Sequence, residues 1–186
     1  MKPIYLRSVP PPQETFDHPE FICNIFKWIK PERYLELGVR DGTTFIPASK
    51  YCEKAIGVDA FNEPTFPLQP NMEFHRVMTD DYFASLGPDD IFDAVFIDAD
   101  HSHEQSLKDF LNVKDRVIED GFVFFHDTYP YDPSMFQPLA CNDCYKTALY
   151  IKQNLIDEFE VLTLPINPGL TIVKKMSRNK QIIYLY

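Results

Sequence analysis

Apolar residues follow two spacings along the chain, and these spacings predict alternating helices and strands. Residues 18–30 carry apolar side chains at helical spacing before Pro31, which predicts a helix that covers a sheet. Short apolar runs predict strands at 33–37, 54–58, 73–77, 91–97, 121–125, 159–164 and 170–175. Helical patterns lie between them, at 43–52, from residue 79, at 105–117 and at 142–154. This alternation is typical of an α/β domain.

The two ends of the chain are predicted to differ from this core. Residues 1–17 contain the consecutive prolines Pro10 to Pro12 and few periodic apolar positions, which predicts an extended arm. Residues 18–186 are enough for one domain with a substantial core and too few for two domains. The strands at 159–164 and 170–175 have hairpin-like spacing, and the tail QIIYLY is expected to add an edge strand or an oligomer contact.

Composition narrows the class of partner. The net charge of -10 weighs against nucleic acid, and the only short basic run is Lys174-Lys175. No segment has the apolar length of a membrane span, and the N-terminus lacks the apolar core of a signal peptide, so we expect a cytoplasmic protein. Cys141 and Cys144 form a lone CxxC without the context of a zinc or redox site, which predicts ordinary reduced thiols.

The segment YLELGVRDGTT, residues 34–44, carries the first functional signal. It predicts a buried strand, a turn through Gly38 and Gly42, and a helix start at Thr43. Glycines let a ligand approach the backbone, and the first helical turn offers unpaired N–H groups to an anion. Glu36 is a carboxylate at the end of a buried strand, which is costly unless it meets a cation or donors. A ligand with an amine, a carboxylate and a nucleoside fits this pattern.

Two further segments offer polar groups to such a ligand. Asp59 ends the second strand about 20 positions beyond the glycine turn, where an acid can accept both ribose hydroxyls, although a turn aspartate is the alternative. Thr79 and Asp80 open a short helix that can meet an adenine edge, and a capping role explains them equally well.

The ends of the fourth and fifth strands bring acids and histidines together. Asp98 ends the fourth strand and opens DADHSHEQ, and the fifth strand ends in His126-Asp127. Parallel strands deliver these side chains to one rim of the sheet, where open α/β sheets place their sites. The loop TYPYDPSMFQP that follows is rich in aromatic residues and prolines, so it either walls a substrate pocket or packs on the core edge.

The motifs LELGVRDGTT, GVDAF, FDAVFIDADHSHEQSLKDF and GFVFFHDT together resemble the class I S-adenosylmethionine (SAM) dependent methyltransferases. More narrowly, they are similar to small-molecule O-methyltransferases related to macrocin O-methyltransferase, a group that also contains cephalosporin hydroxylase-like proteins. The resemblance runs from about residue 34 to residue 175. It implies a Rossmann-like, doubly wound sheet of seven strands in the order 3-2-1-4-5-7-6, with strand 7 antiparallel.

The resemblance also implies positions for SAM. Glu36 would face the methionine amino group, Gly38 and Gly42 the ligand backbone, and Asp59 the ribose. Further cofactor contacts are expected at Thr43, Ala60, Thr79, Asp80 and Asp98. The chain departs from the usual motif because Arg40 replaces its middle glycine, and it also lacks the G-x-G-x-x-G pattern of nicotinamide-binding proteins.

Relatives of this kind often hold a divalent metal between the ends of strands four and five, and this implies Asp98, His126 and Asp127 as ligands. His126 stands where relatives carry an acid, which disfavours magnesium among the candidate metals magnesium, manganese, iron and zinc, and the absence of a metal is the alternative. Methyl transfer to oxygen needs a base in reach of the acceptor, and related enzymes carry theirs just past Asp98. His101 and Asp100 are therefore the candidates, and His101 is preferred because an unperturbed imidazole has its pKa near neutral pH. His103 is second choice, and a place beside the helix N-cap explains it better.

Three functional interpretations remain open at this stage. The first is a SAM-dependent O-methyltransferase that acts on a hydroxyl of a small molecule or sugar, with a homo-oligomer interface available to complete the pocket. The second is a metal-dependent hydroxylase-like enzyme on the same fold. The third is a module that binds SAM or S-adenosylhomocysteine (SAH) without turnover. A nucleic-acid methyltransferase is disfavoured by the charge and by the lack of an Asn/Asp-Pro-Pro-Tyr type motif at strand four.

Overall fold

A computed structural model describes residues 17–166 and 168–177. The helices are α1 (His18–Ile29), α2 (Phe45–Ser49), α3 (Thr79–Ser85), α4 (His103–Val113) and α5 (Tyr145–Asn154), with a 3₁₀ turn at Pro133–Phe136. The strands are β1 (Arg33–Leu37), β2 (Lys54–Val58), β3 (Met72–His75), β4 (Phe92–Ile97), β5 (Val117–Phe125), β6 (Phe159–Leu164) and β7 (Leu170–Lys175). The predicted arm, apart from its last residue, and the tail QIIYLY lie outside the described residues.

The seven strands form one sheet in the order β3-β2-β1-β4-β5-β7-β6. Strands β1 to β5 pair in parallel, and β7 runs antiparallel to both β5 and β6. The fold, the strand order and the antiparallel seventh strand expected from the sequence are therefore confirmed. Within the described residues, no helix is long and apolar enough to cross a membrane.

Helices cover both faces of the sheet, which gives the domain two apolar layers. On one face, Leu35 and Val95 pack in a cluster with Phe110 of α4 and Ile151 of α5. On the other face, residues of β1 and β4 pack with α1 and α2, in a cluster that includes Phe26, Tyr34, Phe45, Ala48 and Phe96. Strands buried on both faces need continuous apolar runs, which explains why β1 and β4 were readable in the sequence.

Several predicted boundaries were wrong, for local reasons. Helix α2 begins at Phe45 rather than residue 43, because the hydroxyl and backbone N–H of Thr43 both bind the Asp41 carboxylate. It ends at Ser49 rather than residue 52, because the N–H of Tyr51 bonds three residues back, to Ala48. Helix α5 begins at Tyr145 rather than residue 142, since Asn142 has the left-handed φ of 49°.

The boundary between α4 and β5 was also misplaced. Helix α4 begins at His103, where the Ser102 hydroxyl accepts a hydrogen bond from the N–H of Gln105, and it ends at Val113. The sequence pattern predicts a helix up to Val117, but that residue starts β5. Val113 and Val117 are four positions apart and both are buried, so helical apolar spacing continues across the turn into the strand. Strand β3 also differs from the prediction, because it spans Met72–His75 rather than 73–77.

The parallel register aligns four strand ends in one row. The backbone N–H groups of Gly38, Asp98 and His126 each bond to the last residue of the neighbouring strand, at 2.8, 2.9 and 3.2 Å. Gly38 has φ of 86°, and a Cβ there would lie 2.1 Å from the carbonyl oxygen of Asp98. Only glycine therefore fits between the ends of β1 and β4, and this close approach brings the polar ends of the strands together.

Candidate functional site

A cavity of about 680 Å³ opens at this row of strand ends. Most of the site residues predicted from the sequence line it, namely Glu36, Gly38, Thr43, Asp59, Ala60, Thr79, Asp98, Asp100, His101, His126 and Asp127. Residues at the carboxyl ends of β1, β2, β4 and β5 thus share one space, although they are far apart in the sequence.

Gly42 and Asp80 are predicted site residues that do not line the cavity. Gly42 has φ of 81°, and a Cβ there would lie 2.5 Å from the Phe66 ring, so this glycine is required by the turn and its packing. The Asp80 carboxylate faces outward and accepts a 2.5 Å bond from the Lys108 ammonium.

Glu36 lies at the inner end of the cavity and is almost completely buried. The Tyr34 hydroxyl, two residues earlier on the same face of β1, donates to its Oε2 atom. Burial raises the pKa of Glu36 well above its usual range, and this hydrogen bond only partly opposes the rise. An ionised Glu36 therefore gains most from a ligand that brings a positive charge.

Asp59 also lines the cavity, and its carboxylate is held by the backbone. Its Oδ1 atom accepts the N–H groups of Phe61 and Asn62 at 2.9 and 2.8 Å, and its Oδ2 atom accepts the N–H of Arg40 at 2.8 Å. Burial alone would raise the pKa of Asp59, but these N–H groups hold it below its usual value. The carboxylate ties the glycine turn to the loop after β2 and stays charged.

Two apolar side chains near Asp59 were not singled out from the sequence. Phe61 and Met78 line the cavity and are 81% and 52% exposed. Phe61 is the last residue of the motif GVDAF, and Met78 immediately precedes α3. Exposed apolar groups beside a polar cavity suit the faces of a flat ring.

Two carboxylates and two imidazoles alternate at the ends of β4 and β5. The Nδ1 atom of His126 lies 3.2 Å from Oδ1 of Asp98 and 3.3 Å from Oδ2 of Asp127. The Nε2 atom of His101 lies 3.1 Å from Oδ2 of Asp127 and 3.7 Å from Oδ1 of Asp98. We call these four side chains the strand-end cluster. They form a closed ring of opposite charges.

The electrostatics of the strand-end cluster follow from this alternation. Burial alone would raise the pKa of Asp98, but its contacts with the two histidines hold it at about 2. Contact with Asp98, opposed in part by burial, raises the pKa of His101 to about 9. Burial works against the charged form of His126, and the two carboxylates nevertheless raise its pKa to about 10. Without a bound cation, the two imidazoles therefore supply the positive charge that the carboxylates need.

His18, the first residue of α1, is a cavity residue that sequence reasoning missed. Its ring lies on the ring of His126, with centroids 3.8 Å apart, and its Nε2 atom is 3.3 Å from the Thr44 hydroxyl. Burial, followed by the charge of His126, lowers the pKa of His18 to about 4. No local motif marks His18, because only packing of α1 against the sheet carries it to the site.

The other two candidates for the base, Asp100 and His103, differ in their access to the cavity. Asp100 is exposed, lines the cavity and accepts the N–H of Ser102 at 2.7 Å. His103 does not line the cavity, and its Nδ1 atom bonds to the Thr147 hydroxyl at 2.9 Å, which ties α4 to α5. The structure thus places His103 in a structural contact and leaves Asp100 open to a ligand.

The loop after β5 contributes only its end to the cavity. The aromatic residues of TYPYDPSMFQP do not line it, and Phe136 packs edge-on against Tyr145 at 5.8 Å. Of the two predicted roles for this loop, the structure supports packing on the core edge. Leu139 and Ala140, which follow it, do line the cavity. The buried thiol of Cys141 lies 3.4 Å from Oδ1 of Asp127.

The donor set was tested for its fit to a divalent metal. Candidate ligand atoms of Asp98, His101 and Asp127 lie within 4.8 Å of one another, and so do those of His18, Asp98 and His126. The Nε2 atom of His126 is buried without a hydrogen-bond partner among the described residues. Mixed imidazole and carboxylate donors suit manganese, iron, cobalt or zinc better than magnesium, which prefers oxygen. The residues present therefore fit a transition metal.

Comparison with known proteins agrees with this fold. The chain has the class I SAM-dependent methyltransferase fold. The strand order and the cavity at the carboxyl ends of the central strands define this fold. Residues 35–128 match the family model described as a methyltransferase domain, and the chain belongs to that family. No curated protein shows significant sequence similarity to the chain.

Solved structures share the fold at low sequence identity. The SAH-bound methyltransferase PaMTH1 from Podospora anserina is similar with a TM-score of 0.64 and 15% identity, over 86% of this chain and 78% of that one. An O-methyltransferase from Bacillus cereus in complex with SAH gives 0.65 and 12%, over 88% and 84%. The O-methyltransferase TomG from Streptomyces achromogenes, involved in tomaymycin synthesis and in complex with SAM, gives 0.62 and 13%, over 86% and 79%.

Proposed function

We propose that this methyltransferase transfers the methyl group of SAM to a hydroxyl oxygen of a small molecule. The observation that carries the proposal is one cavity lined by a buried carboxylate, Glu36, a backbone-held carboxylate, Asp59, and the strand-end cluster. The family supports methyl transfer, and similar folds hold SAM or SAH in O-methyltransferases.

The cavity offers a partner to each part of SAM. Glu36 is placed to pair with the amino group, which would supply the positive charge that its burial demands. Asp59 is placed to accept the ribose hydroxyls, which would replace the contacts that the Asn62 side-chain amide makes with its two oxygens at 3.1 and 3.2 Å. Phe61 and Met78 would cover the faces of the adenine, and Thr79 lies beside its edge. Gly38, Thr43 and Ala60 line the space between these groups.

The chain must then position an acceptor and remove its proton. Bound SAM supplies a methyl group on a sulfonium, so the protein needs only alignment and a base. Asp98, Asp100 and His101 lie at the rim where an acceptor would meet that methyl group.

We propose Asp100 as the base in the metal-free geometry. The Nδ1 atom of His101 faces the carbonyl oxygen of Ala140, and its Nε2 atom faces Asp127, so both nitrogens carry protons and neither can accept one. Asp100 lies outside the ring of ion pairs and is exposed to the cavity. His101 becomes the base only if another cation takes over its contact with the carboxylates.

A divalent metal would be held by Asp98, His126 and Asp127. It would act there as a Lewis acid that polarises the acceptor oxygen. The convergence of these donors also keeps a hydroxylase-like enzyme as the second candidate function, since imidazole and carboxylate ligands suit redox metals. An oxygen and iron requirement without methyl transfer from SAM would favour that candidate.

Calorimetry with SAM and SAH tests the cofactor assignment. We expect Asp59→Ala to weaken SAH binding about 10–100-fold, because hydrogen bonds to a charged group contribute about 1.5–3 kcal/mol. The exposed Asp89→Asn variant is the control and should bind as the parent does. Unchanged affinity in Asp59→Ala would remove Asp59 from the ribose role.

Turnover tests the base. SAH production with a panel of phenols, sugars and hydroxy acids should fall about 10²–10⁴-fold in Asp100→Asn, the usual contribution of a general base. Affinity for SAH should not change, because Asp100 is proposed to contact the acceptor. A larger loss in His101→Gln than in Asp100→Asn would reassign the base to His101. Binding of SAH without any turnover across the panel would favour a binding module.

A further inference from the structure

We infer that His18 is a metal ligand, which together with Asp98 and His126 makes a site with two imidazoles and one carboxylate for a divalent transition metal. The inference rests on the proposed function only for the position of the site. It concerns a residue of α1, outside the segment 35–128 that matches the family model.

The start of α1 places His18 firmly at the cavity. The Asp17 side chain caps the helix by accepting the N–H of Glu20 at 2.9 Å, and Pro19 is buried as the next residue. The imidazole lines the cavity, and its ring centroid is 5.6 Å from that of Phe96. An imidazole positioned by a capped helix and a packed strand is preorganised for a ligand.

The donor atoms converge around one point. Ligand atoms of His18, Asp98 and His126 lie within 4.8 Å of one another. Two bonds of about 2.0–2.2 Å span at most about 4.4 Å, so a bound ion would draw the most distant of these atoms slightly together. The rings of the two histidines are in contact at 3.8 Å and tilted by 43°. Asp98 belongs to this triad and also to the strand-end cluster, so it joins the two.

His126 has an unmet requirement that a metal would satisfy. Its Nδ1 atom faces Asp98 and Asp127, while its Nε2 atom is buried without a partner among the described residues. A buried nitrogen without a partner is costly, and metal-binding histidines commonly use one nitrogen for the ion and the other for a carboxylate. With an ion on Nε2, Asp127 would bond to Nδ1 and orient the ring, so in this site Asp127 supports His126 instead of binding the metal, unlike in the ligand set given above.

The donor set determines the class of metal. Magnesium demands oxygen ligands, whereas imidazole nitrogen suits manganese, iron, cobalt, nickel and zinc. With His18 added to His126, the site has more nitrogen than oxygen among these three ligands. The expected occupant is therefore a divalent transition metal, and magnesium becomes the weakest of the metals considered.

The alternative explanation is that His18 only packs on His126 and bonds to Thr44. Two substitutions separate these roles. His18→Phe keeps an aromatic ring against His126 but has no donor atom, and His18→Gln keeps a polar group near Thr44. His75→Gln is the matched control, because His75 lies on β3, pairs with Glu73 at 2.8 Å and does not line the cavity.

The experiment titrates cobalt and, separately, magnesium into the metal-stripped full chain, with cobalt absorption and calorimetry as readouts. We expect the parent protein to bind cobalt more tightly than magnesium, by at least about 10-fold. His18→Phe and His18→Gln should each lower the cobalt affinity about 10–100-fold, because even residues that only support metal ligands contribute that much. Both variants should also change the cobalt absorption spectrum. His75→Gln should match the parent.

Parental cobalt affinity and spectrum in His18→Phe would overturn the inference, as would the absence of cobalt binding in the parent. SAH calorimetry on the same metal-stripped samples keeps the two proposals apart. Binding of SAH without cobalt binding would refute the metal site and leave the methyltransferase assignment standing. Cobalt binding that depends on His18, without SAH binding, would support the metal site and refute the methyltransferase assignment.

Discussion

The cavity holds two kinds of carboxylate site, and they differ in what neutralises the charge. Asp59 is held by backbone N–H groups of Arg40, Phe61 and Asn62. Asp98 and Asp127 are held by side chains, the imidazoles of His101 and His126. Backbone donors have no alternative state, whereas an imidazole can lose its proton or exchange it for a metal. The first site is therefore suited to constant recognition and the second to chemistry.

The two sites also differ in their distance along the chain. The donors to Asp59 lie at most 19 positions away, within the two loops that it joins. The strand-end cluster consists of side chains from the ends of β4 and β5 and from the loop before α4. Its most distant members in the sequence, Asp98 and Asp127, are 29 positions apart. His18 adds a residue from the start of the described chain. A change in packing should therefore affect the second site more than the first.

The largest expected effect tests the close approach of Gly38 to the backbone of Asp98. Gly38→Ala places a Cβ 2.1 Å from the carbonyl oxygen of Asp98 at a φ of 86°. We expect the free energy of unfolding to fall by about 4 kcal/mol, from overpacking and a strained backbone together. Urea denaturation measures it, with Gly87→Ala as the control, because a Cβ at Gly87 has its nearest neighbour at 3.7 Å. A loss in Gly38→Ala no larger than in Gly87→Ala would contradict the close approach.

The next prediction compares the two sites directly. Asp127→Asn removes a charge from a buried position that contacts two imidazoles, and we expect a loss of about 3 kcal/mol in unfolding free energy. Asp59→Asn keeps a carbonyl oxygen for the N–H groups of Phe61 and Asn62 but turns its NH2 group toward the N–H of Arg40, so we expect a smaller loss of about 2 kcal/mol. Both variants are measured by urea denaturation of the metal-stripped protein. Equal losses would show that the source of the donors makes no difference.

The smallest expected effect concerns a third carboxylate that has neither set of donors. Asp109 of α4 is fully buried, its Oδ1 atom accepts a bond from Gln105 at 3.0 Å, and its Oδ2 atom has no partner among the described residues. Burial raises the pKa of Asp109 from 3.8 to about 6. Since the folded state holds this proton more tightly, the protonated acid stabilises the fold near pH 4, and that contribution is lost as the pH rises through 6.

Asp109→Asn should remove this dependence. We expect the unfolding free energy of the variant, relative to that of the parent, to increase by about 2 kcal/mol between pH 4 and pH 7.5. This is somewhat less than the full pKa shift implies. Urea denaturation at the two pH values provides the measurement, with the exposed Asp89→Asn as control. If the gap between variant and parent is the same at both pH values, Asp109 does not titrate in this range.

Local patterns explain why much of the fold could be predicted. Strands β1 and β4 are buried on both faces, so their apolar runs are continuous, and the glycine turn and strand-end acids follow immediately in the sequence. Glu36, Asp59, Asp98 and Asp127 were accessible to this reasoning because strand ends in a parallel sheet share a rim. Element boundaries were less accessible, as Val117 shows, since helical spacing and strand burial coincide there.

Sequence alone determined the class of fold, the strand order through its resemblance to a known family, and the strand-end acids, because these depend on short-range periodicity and motif. Tertiary structure decided which polar groups meet. It turned Asp80 toward Lys108, used Gly42 for packing against Phe66, and carried His18 from the start of α1 onto His126. The physical reason is that contacts between distant elements depend on how helices pack on the sheet, and no local pattern of residues records that packing.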